Sequence, residues 1–147
     1  MAGEVGYRFC PNDEELVNHF LKLKMLGHDD QVSRIPEIDV LTVEPWDIPS
    51  MMPNNSNDGV WYFFCRRNHN GQRLHRTTNV GFWKTIGKTL KIKDIATKQI
   101  LVFYQNGANG RVRTNWIMHE YNPTFDFPVQ SDYVLCKLRQ MPEDNNL

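Results

Sequence analysis

The feature that most constrains the fold is a run of five residues, Trp61-Tyr62-Phe63-Phe64-Cys65, in which no polar residue alternates with the apolar ones. Successive side chains of a strand point to opposite sides, so a strand with one wet face alternates and this one does not. The run predicts a strand covered on both faces. Further short segments follow at Gly81–Lys88, Thr89–Lys93, Ile100–Tyr104, Thr114–His119 and Asp132–Leu138, rich in β-branched and aromatic residues and parted by Gly- or Asn-bearing turns. That pattern predicts an antiparallel meander rather than βαβ units. A cover for one face lies upstream. Asn12 suits an N-cap, Asn12-x-x-Glu15 has capping-box spacing, and Asp13, Glu14 and Glu15 crowd the first turn. Leu16, Val17, Phe20, Leu23 and Met25 or Leu26 follow at helical spacing, with Lys22 and Lys24 toward the end and Gly27 as a stop. Prolines at 36, 45, 49 and 53 permit only short pieces beyond Ile35. Ile38–Val43 reads as a brief strand or helical turn, with Trp46 and Ile48 packing down. The expected fold class is α+β, an antiparallel sheet flanked by an N-terminal helix and short helical segments.

The chain of 147 residues fits one domain, here residues 1–141, followed by a frayed tail at 142–147. Hydrophobic residues are 40% and charged residues 23%, as in a folded chain. No apolar stretch approaches the roughly 20 residues of a membrane span. The three cysteines, Cys10, Cys65 and Cys136, are far apart and odd in number, which argues against a disulfide framework and for a reducing compartment. The formal net charge is zero, from 17 basic and 17 acidic residues. Its layout is uneven. Residues 1–60 hold four bases against eleven acids, residues 61–120 eleven against two, and residues 121–147 two against four.

The basic stretch runs from Arg66 to Arg113, 48 residues with Asp94 as the sole acid. One-sided charge of this kind suits phosphate neutralisation, because each contact releases counterions and nearby carboxylates would cancel the field. A solvated face is the plainer reading. Within the stretch, Gly81-Phe82-Trp83-Lys84-Thr85-Ile86-Gly87-Lys88 places Lys84, Ile86 and Lys88 on one side of an extended strand, with Trp83 and Thr85 on the other. Alternating lysines protect an edge strand against aggregation, and a β element also fits a major groove. Charge alone leaves both open. Catalytic readings fare worse. Cys65 lies near Arg66, Arg67 and His69 but ends an apolar strand, which suits an inert buried thiol. His119-Glu120 lacks the second histidine of a zinc-protease helix, and no paired cysteines complete a metal site around Cys65 with His69 or His75. No catalysis, metal or cofactor is expected. Arg8 and Glu15 read locally as a surface arginine and a self-capping glutamate.

Gly6-Tyr7-Arg8-Phe9-Cys10-Pro11-Asn12-Asp13-Glu14-Glu15-Leu16-Val17 resembles the opening motif of the plant NAC-domain transcription factors. Ile38-Asp39-Val40 with Glu44-Pro45-Trp46-Asp47-Ile48-Pro49 resembles their second motif. Trp61–Phe64, Asn70–Arg73 to Arg76, and Gly81–Lys84 to Gly87-Lys88 are similar to the third. Leu101–Tyr104 with Arg113–Tyr121 is similar to the fourth, and Tyr133–Leu138 to the fifth. The five motifs stand in order across about residues 5–139.

The resemblance implies a twisted antiparallel sheet and a nuclear dimer, with itself or a related NAC protein, that binds double-stranded DNA at CGT[GA]-type sites. It implies no membrane and no small-molecule substrate. Lys84, Thr85, Ile86, Gly87 and Lys88 would form the groove-facing strand, anchored by Trp83. Arg73 and Arg76 match arginines at the DNA backbone or groove edge, Arg113 matches a basic residue near phosphate, and Lys91 and Arg111 add charge beside them. Arg8 and Glu15 match a salt-bridging pair across the family dimer. The family commonly has Trp-Lys-Ala-Thr-Gly where this chain has Trp83-Lys84-Thr85-Ile86-Gly87. Ile86 thus offers no hydroxyl to a base but fits a thymine methyl. The loop Gln105–Arg113 loses several of the family's basic positions and gains Arg111, and Glu4-Val5 replaces two prolines. A second reading follows from these departures: a dimerising interaction module that tunes related factors while binding DNA weakly itself. Nothing after Leu138 resembles a regulatory region, so the chain reads as part of a longer protein or an unusually short form.

Overall fold

A computed structural model describes residues 10–52, 58–66, 76–124 and 133–142. Five strands, β1 (Val60–Arg66), β2 (Gly81–Ile92), β3 (Ala96–Gly107), β4 (Gly110–Pro123) and β5 (Tyr133–Gln140), form one antiparallel sheet in the order β1-β5-β4-β3-β2. The non-alternating run lies on β1, and its consecutive Phe63 and Phe64 are both fully buried. Phe63 packs on one face with Trp61, Leu101, Phe103 and Leu138, together with Ile38, Val40 and Ile48 of the proline-rich segment. Phe64 packs on the other face with Tyr121, Leu135 and the helical residues Leu16, Val17 and Leu21. Each such side chain contributes about 1.5–3 kcal/mol of burial. Both covers come from upstream of the sheet, as the run required.

Several segments differ from expectation. Gly81–Lys88 and Thr89–Lys93 are one strand, because the ladder with β3 resumes at Leu90↔Lys98 after an irregularity following Ile86↔Ile100. The presumed loop Gln105–Arg113 is mostly ladder, with Gln105↔Val112, Asn106↔Arg111 and Gly107↔Gly110 closing around Ala108 and Asn109. Its tight turn is made possible by Gly110 at φ 118. Ile38–Val43 forms turns and bends. The strand-like contact falls just before it, where the Phe64 amide donates to the Pro36 carbonyl and the Ile38 amide to the Phe64 carbonyl, both at 2.8 Å. Ile48 is fully buried as expected, but Trp46 stays 40% exposed and meets Phe103 only edge to face, at 5.7 Å.

The N-terminal rod runs through α1 (Asp13–Glu15), a π-helical stretch (Leu16–Leu21) and α2 (Lys22–Met25). Its capping box is complete: Asn12 Oδ1 accepts from the Glu15 amide at 2.8 Å, and Glu15 Oε1 accepts from the Asn12 amide at 3.0 Å. At the other end Gly27 adopts φ 87, its amide donates to the Lys24 carbonyl and the His28 amide to the Leu23 carbonyl, a Schellman stop. Asp13 fastens the start of the rod to the sheet. The Tyr121 hydroxyl donates to Asp13 Oδ1 at 2.6 Å, and Lys98 Nζ donates to Oδ2 at 3.0 Å. Burial by itself raises the Asp13 pKa, but the hydrogen bonds from Tyr121 and Lys98 outweigh it and hold the carboxyl below its usual range. Burial and the bond to Asp13 push the Tyr121 hydroxyl up.

His119, on the same face, is held neutral. Burial first, and then the cations Lys98, Lys137 and Arg139, together lower its pKa to about 4 against the opposing charge of Asp13. Its Nδ1 is buried without a hydrogen-bond partner among the described residues. An unfolded chain takes up this proton near pH 6.5 and the folded one only near 4. Stability therefore falls as pH drops through that window, by about 1–2 kcal/mol after allowing for partial solvent access. Asp13 adds its own loss only below about pH 4. Urea melts of His119→Gln are expected to be flat between pH 7 and 5 where the parent declines; parallel declines would contradict this account.

Candidate nucleic-acid interface

β2 is an edge strand of the sheet. Its first residues are held on the outer side as well, since the Trp83 amide donates to the Arg76 carbonyl at 2.7 Å and the Thr78 amide to the Gly81 carbonyl at 2.8 Å. Trp83 is 2% exposed and packs edge to face on Phe103 at 5.2 Å. It anchors the strand from inside. Register places Trp83 and Thr85 opposite Phe103 and Leu101 on one face, and Lys84 and Ile86 opposite Val102 and Ile100 on the other. The alternation read from the sequence holds as far as Ile86.

Beyond it, Gly87, Lys88 and Thr89 face Gln99 alone, a β-bulge in which Gly87 adopts φ 68. Lys88 thus has no cross-strand partner in the ladder. The bulge is tied inward by a relay that sequence reading did not find. Thr89 Oγ1 accepts from Gln99 Nε2 at 3.2 Å, and Gln99 Oε1 accepts from Arg76 Nη2 at 3.3 Å. Arg76 Nη2 also meets Glu120 Oε1 at 3.4 Å, which accepts from Asn122 Nδ2 at 3.1 Å. The relay joins four separated parts of the chain, so no local motif could signal it. It also gives Arg76 an internal role: the side chain is 19% exposed and paired with Glu120.

Tertiary structure sorts the basic run into two sets. Arg66 stacks on Tyr133 and donates to its hydroxyl, Arg76 pairs with Glu120, Lys93 with Glu14 at 3.0 Å and Lys98 with Asp13 at 3.0 Å. Lys84, Lys88, Lys91, Arg111 and Arg113 are exposed, and none makes a salt bridge among the described residues. These five lie on β2 and on the adjoining β3–β4 hairpin. Exposed Thr85 and Gly87 and half-buried Ile86 stand among them. Arg73 and Arg8 lie outside the described residues. Glu15 is exposed, with one carboxylate oxygen spent on its own cap. Cys65, half-buried, has its thiol pushed up by burial, which suits an inert group and not a nucleophile.

The family model described as "No apical meristem (NAM) protein" matches residues 4–123. The chain belongs to the plant NAC-domain family. NAC domain-containing protein 69 of Arabidopsis thaliana is 40% identical over 154 residues, covering 97% of this chain and 34% of its own length. NAC domain-containing protein 86 of the same plant is 38% identical over 146 residues, covering 90% of this chain and 31% of its own length. NAC domain-containing protein 54 of Oryza sativa subsp. japonica is 39% identical over 145 residues, covering 90% and 22%. The chain thus spans between 22% and 34% of the length of these relatives. In this NAC domain the motif around Trp83-Lys84 is the edge strand itself, and the motif ending at Tyr121 supplies both the hairpin arginine Arg113 and the tyrosine that fastens the rod.

Proposed function

We propose that this NAC domain, residues 1–141, is the sequence-specific DNA-binding part of a plant transcription regulator that works in the nucleus. The observation that carries the reading is the edge strand β2. It offers exposed Lys84, Lys88 and Lys91 with no salt bridge among the described residues, stands on a buried Trp83, and has Arg111 and Arg113, likewise exposed, on the hairpin beside it. A major groove about 12 Å wide admits such a strand. Lys84 then reaches a guanine edge in a CGT[GA]-type site, Ile86 packs on a thymine methyl, and Lys88, Lys91, Arg111 and Arg113 neutralise phosphates. Arg73 extends the same backbone contacts, whereas Arg76 serves chiefly through the Gln99 relay. Lys84→Ala is expected to weaken binding to a CGTG-containing duplex by about 1–3 kcal/mol and to leave scrambled DNA nearly unaffected. Equal losses on both duplexes would reduce Lys84 to a phosphate contact.

The active species in this reading is a dimer, with itself or a related NAC protein, in which Arg8 of one protomer pairs with Glu15 of the other. Glu15→Arg is expected to yield monomers by light scattering. Glu15→Gln, which keeps the capping acceptor, separates that effect from loss of the cap. A Glu15→Arg protein that remains dimeric would contradict the pairing.

A further inference from the structure

Phe82 and Tyr104 are cross-strand partners on β2 and β3, stacked with ring centroids 5.5 Å apart and planes 18° from parallel. Each carries a cation. The Arg111 guanidinium lies 4.5 Å from the Phe82 centroid, and Lys84 Nζ lies 5.7 Å from the Tyr104 centroid. Arg111 belongs to the hairpin and Lys84 to the edge strand, so two rings bring together cations that lie 27 positions apart in the chain. A guanidinium stacked on a ring uses its flat face and leaves its N–H edge free for a bidentate phosphate contact.

We infer that Phe82 and Tyr104 are positioning residues for DNA binding, holding Arg111 and Lys84 in the orientation they use on the duplex. The inference rests on the DNA-binding reading above. Long basic side chains lose rotamer freedom when they bind, at about 0.5–1.5 kcal/mol each, and an arginine already laid on a ring has lost much of it beforehand. Removing the ring therefore weakens binding by about 2- to 12-fold although every charge remains. The departure at Gln105–Arg113 fits this. A hairpin with fewer cations gains one that is held in place.

The test is a double-mutant cycle read by fluorescence anisotropy on a CGTG-containing duplex at several salt concentrations. Phe82→Leu is expected to bind about 2- to 12-fold more weakly with an unchanged slope against log[salt]. Arg111→Ala should bind more weakly with a slope smaller by about 1. The double variant should bind no worse than Arg111→Ala alone, and Phe82→Tyr should restore parental affinity. A Phe82→Leu loss that persists in the Arg111→Ala background would show a merely structural ring and overturn the inference. Should Phe82→Leu fail to fold, Arg111→Lys at the exposed hairpin keeps the charge and removes the guanidinium from the Phe82 ring. It is expected to weaken binding about threefold, and full affinity there would also overturn the inference. A parent protein that does not bind the duplex at all would defeat the DNA-binding reading itself, a result separate from these.

Discussion

Gly81→Ala is expected to cost about 3 kcal/mol or more and to lower the urea midpoint accordingly. A Cβ at this position would run into the Tyr104 carbonyl and come within 2.6 Å of the Phe103 ring. Neither neighbour can yield easily. The carbonyl is backbone of β3, and Phe103 is fully buried under Trp83 in the core. The first ladder pair of β2, Gly81↔Gln105, would have to separate, and with it the outer bonds that hold Thr78 and Arg76. Gly87 offers the contrast, since space around it is open and only its φ restricts substitution. Urea melts followed by tryptophan fluorescence check the point. A Gly81→Ala protein within about 1 kcal/mol of the parent would show that β2 is not seated against β3 in this way.

Lys24→Ala carries the second large effect, about 2–4 kcal/mol, or a melting point lower by about 5–15 °C. Lys24 is 6% exposed, at the end of the rod. Its Nζ meets Glu37 at 2.7 Å and Asp29 at 3.3 Å, over the Tyr133 ring at 4.9 Å and the Phe64 ring at 5.5 Å. Burial alone would lower its pKa, but the two carboxylates outweigh this and raise it, so the ammonium stays charged. A folded pKa above the usual 10.5 gives stability that is fully present below that value and lost only as pH rises through the folded pKa. The contribution is therefore constant across neutral pH. Lys24→Met keeps the packed stem and is expected to cost only about 1 kcal/mol, because the orphaned Glu37 is 44% exposed and regains water. A Lys24→Ala protein as stable as the parent would contradict the latch.

The same residue shows where sequence reading stopped. Lys24 read as a cation suited to a helix C-terminus, and it is one, but Asp29, Glu37, Phe64 and Tyr133 reach it from four other places. Features carried by adjacent residues were legible: the Asn12–Glu15 box, the Gly27 stop, and the double burial of Phe63 and Phe64. The bulge was not legible: Gly87 read as one residue of an extended strand, and only the β3 ladder shows Gly87, Lys88 and Thr89 facing Gln99 alone. The basic run was legible as charge. Which cations are spent internally was not, since Asp13, Glu14 and Glu120 sit far from Lys98, Lys93 and Arg76 in the chain. The acid-rich first third, which made the total neutral, supplies two of those three partners.

The central claim is that β2 and the hairpin arginines form a DNA surface that reads sequence. It is tested most directly by titrating the domain onto a CGTG-containing duplex and a scrambled one between about 50 and 200 mM salt. The four phosphate-facing cations, Lys88, Lys91, Arg111 and Arg113, predict that log affinity falls with log[salt] at a slope of about −3 to −4 per protomer on both duplexes, with the CGTG duplex bound at least tenfold more tightly throughout. A flat salt dependence, or equal affinity for the two duplexes, would contradict it.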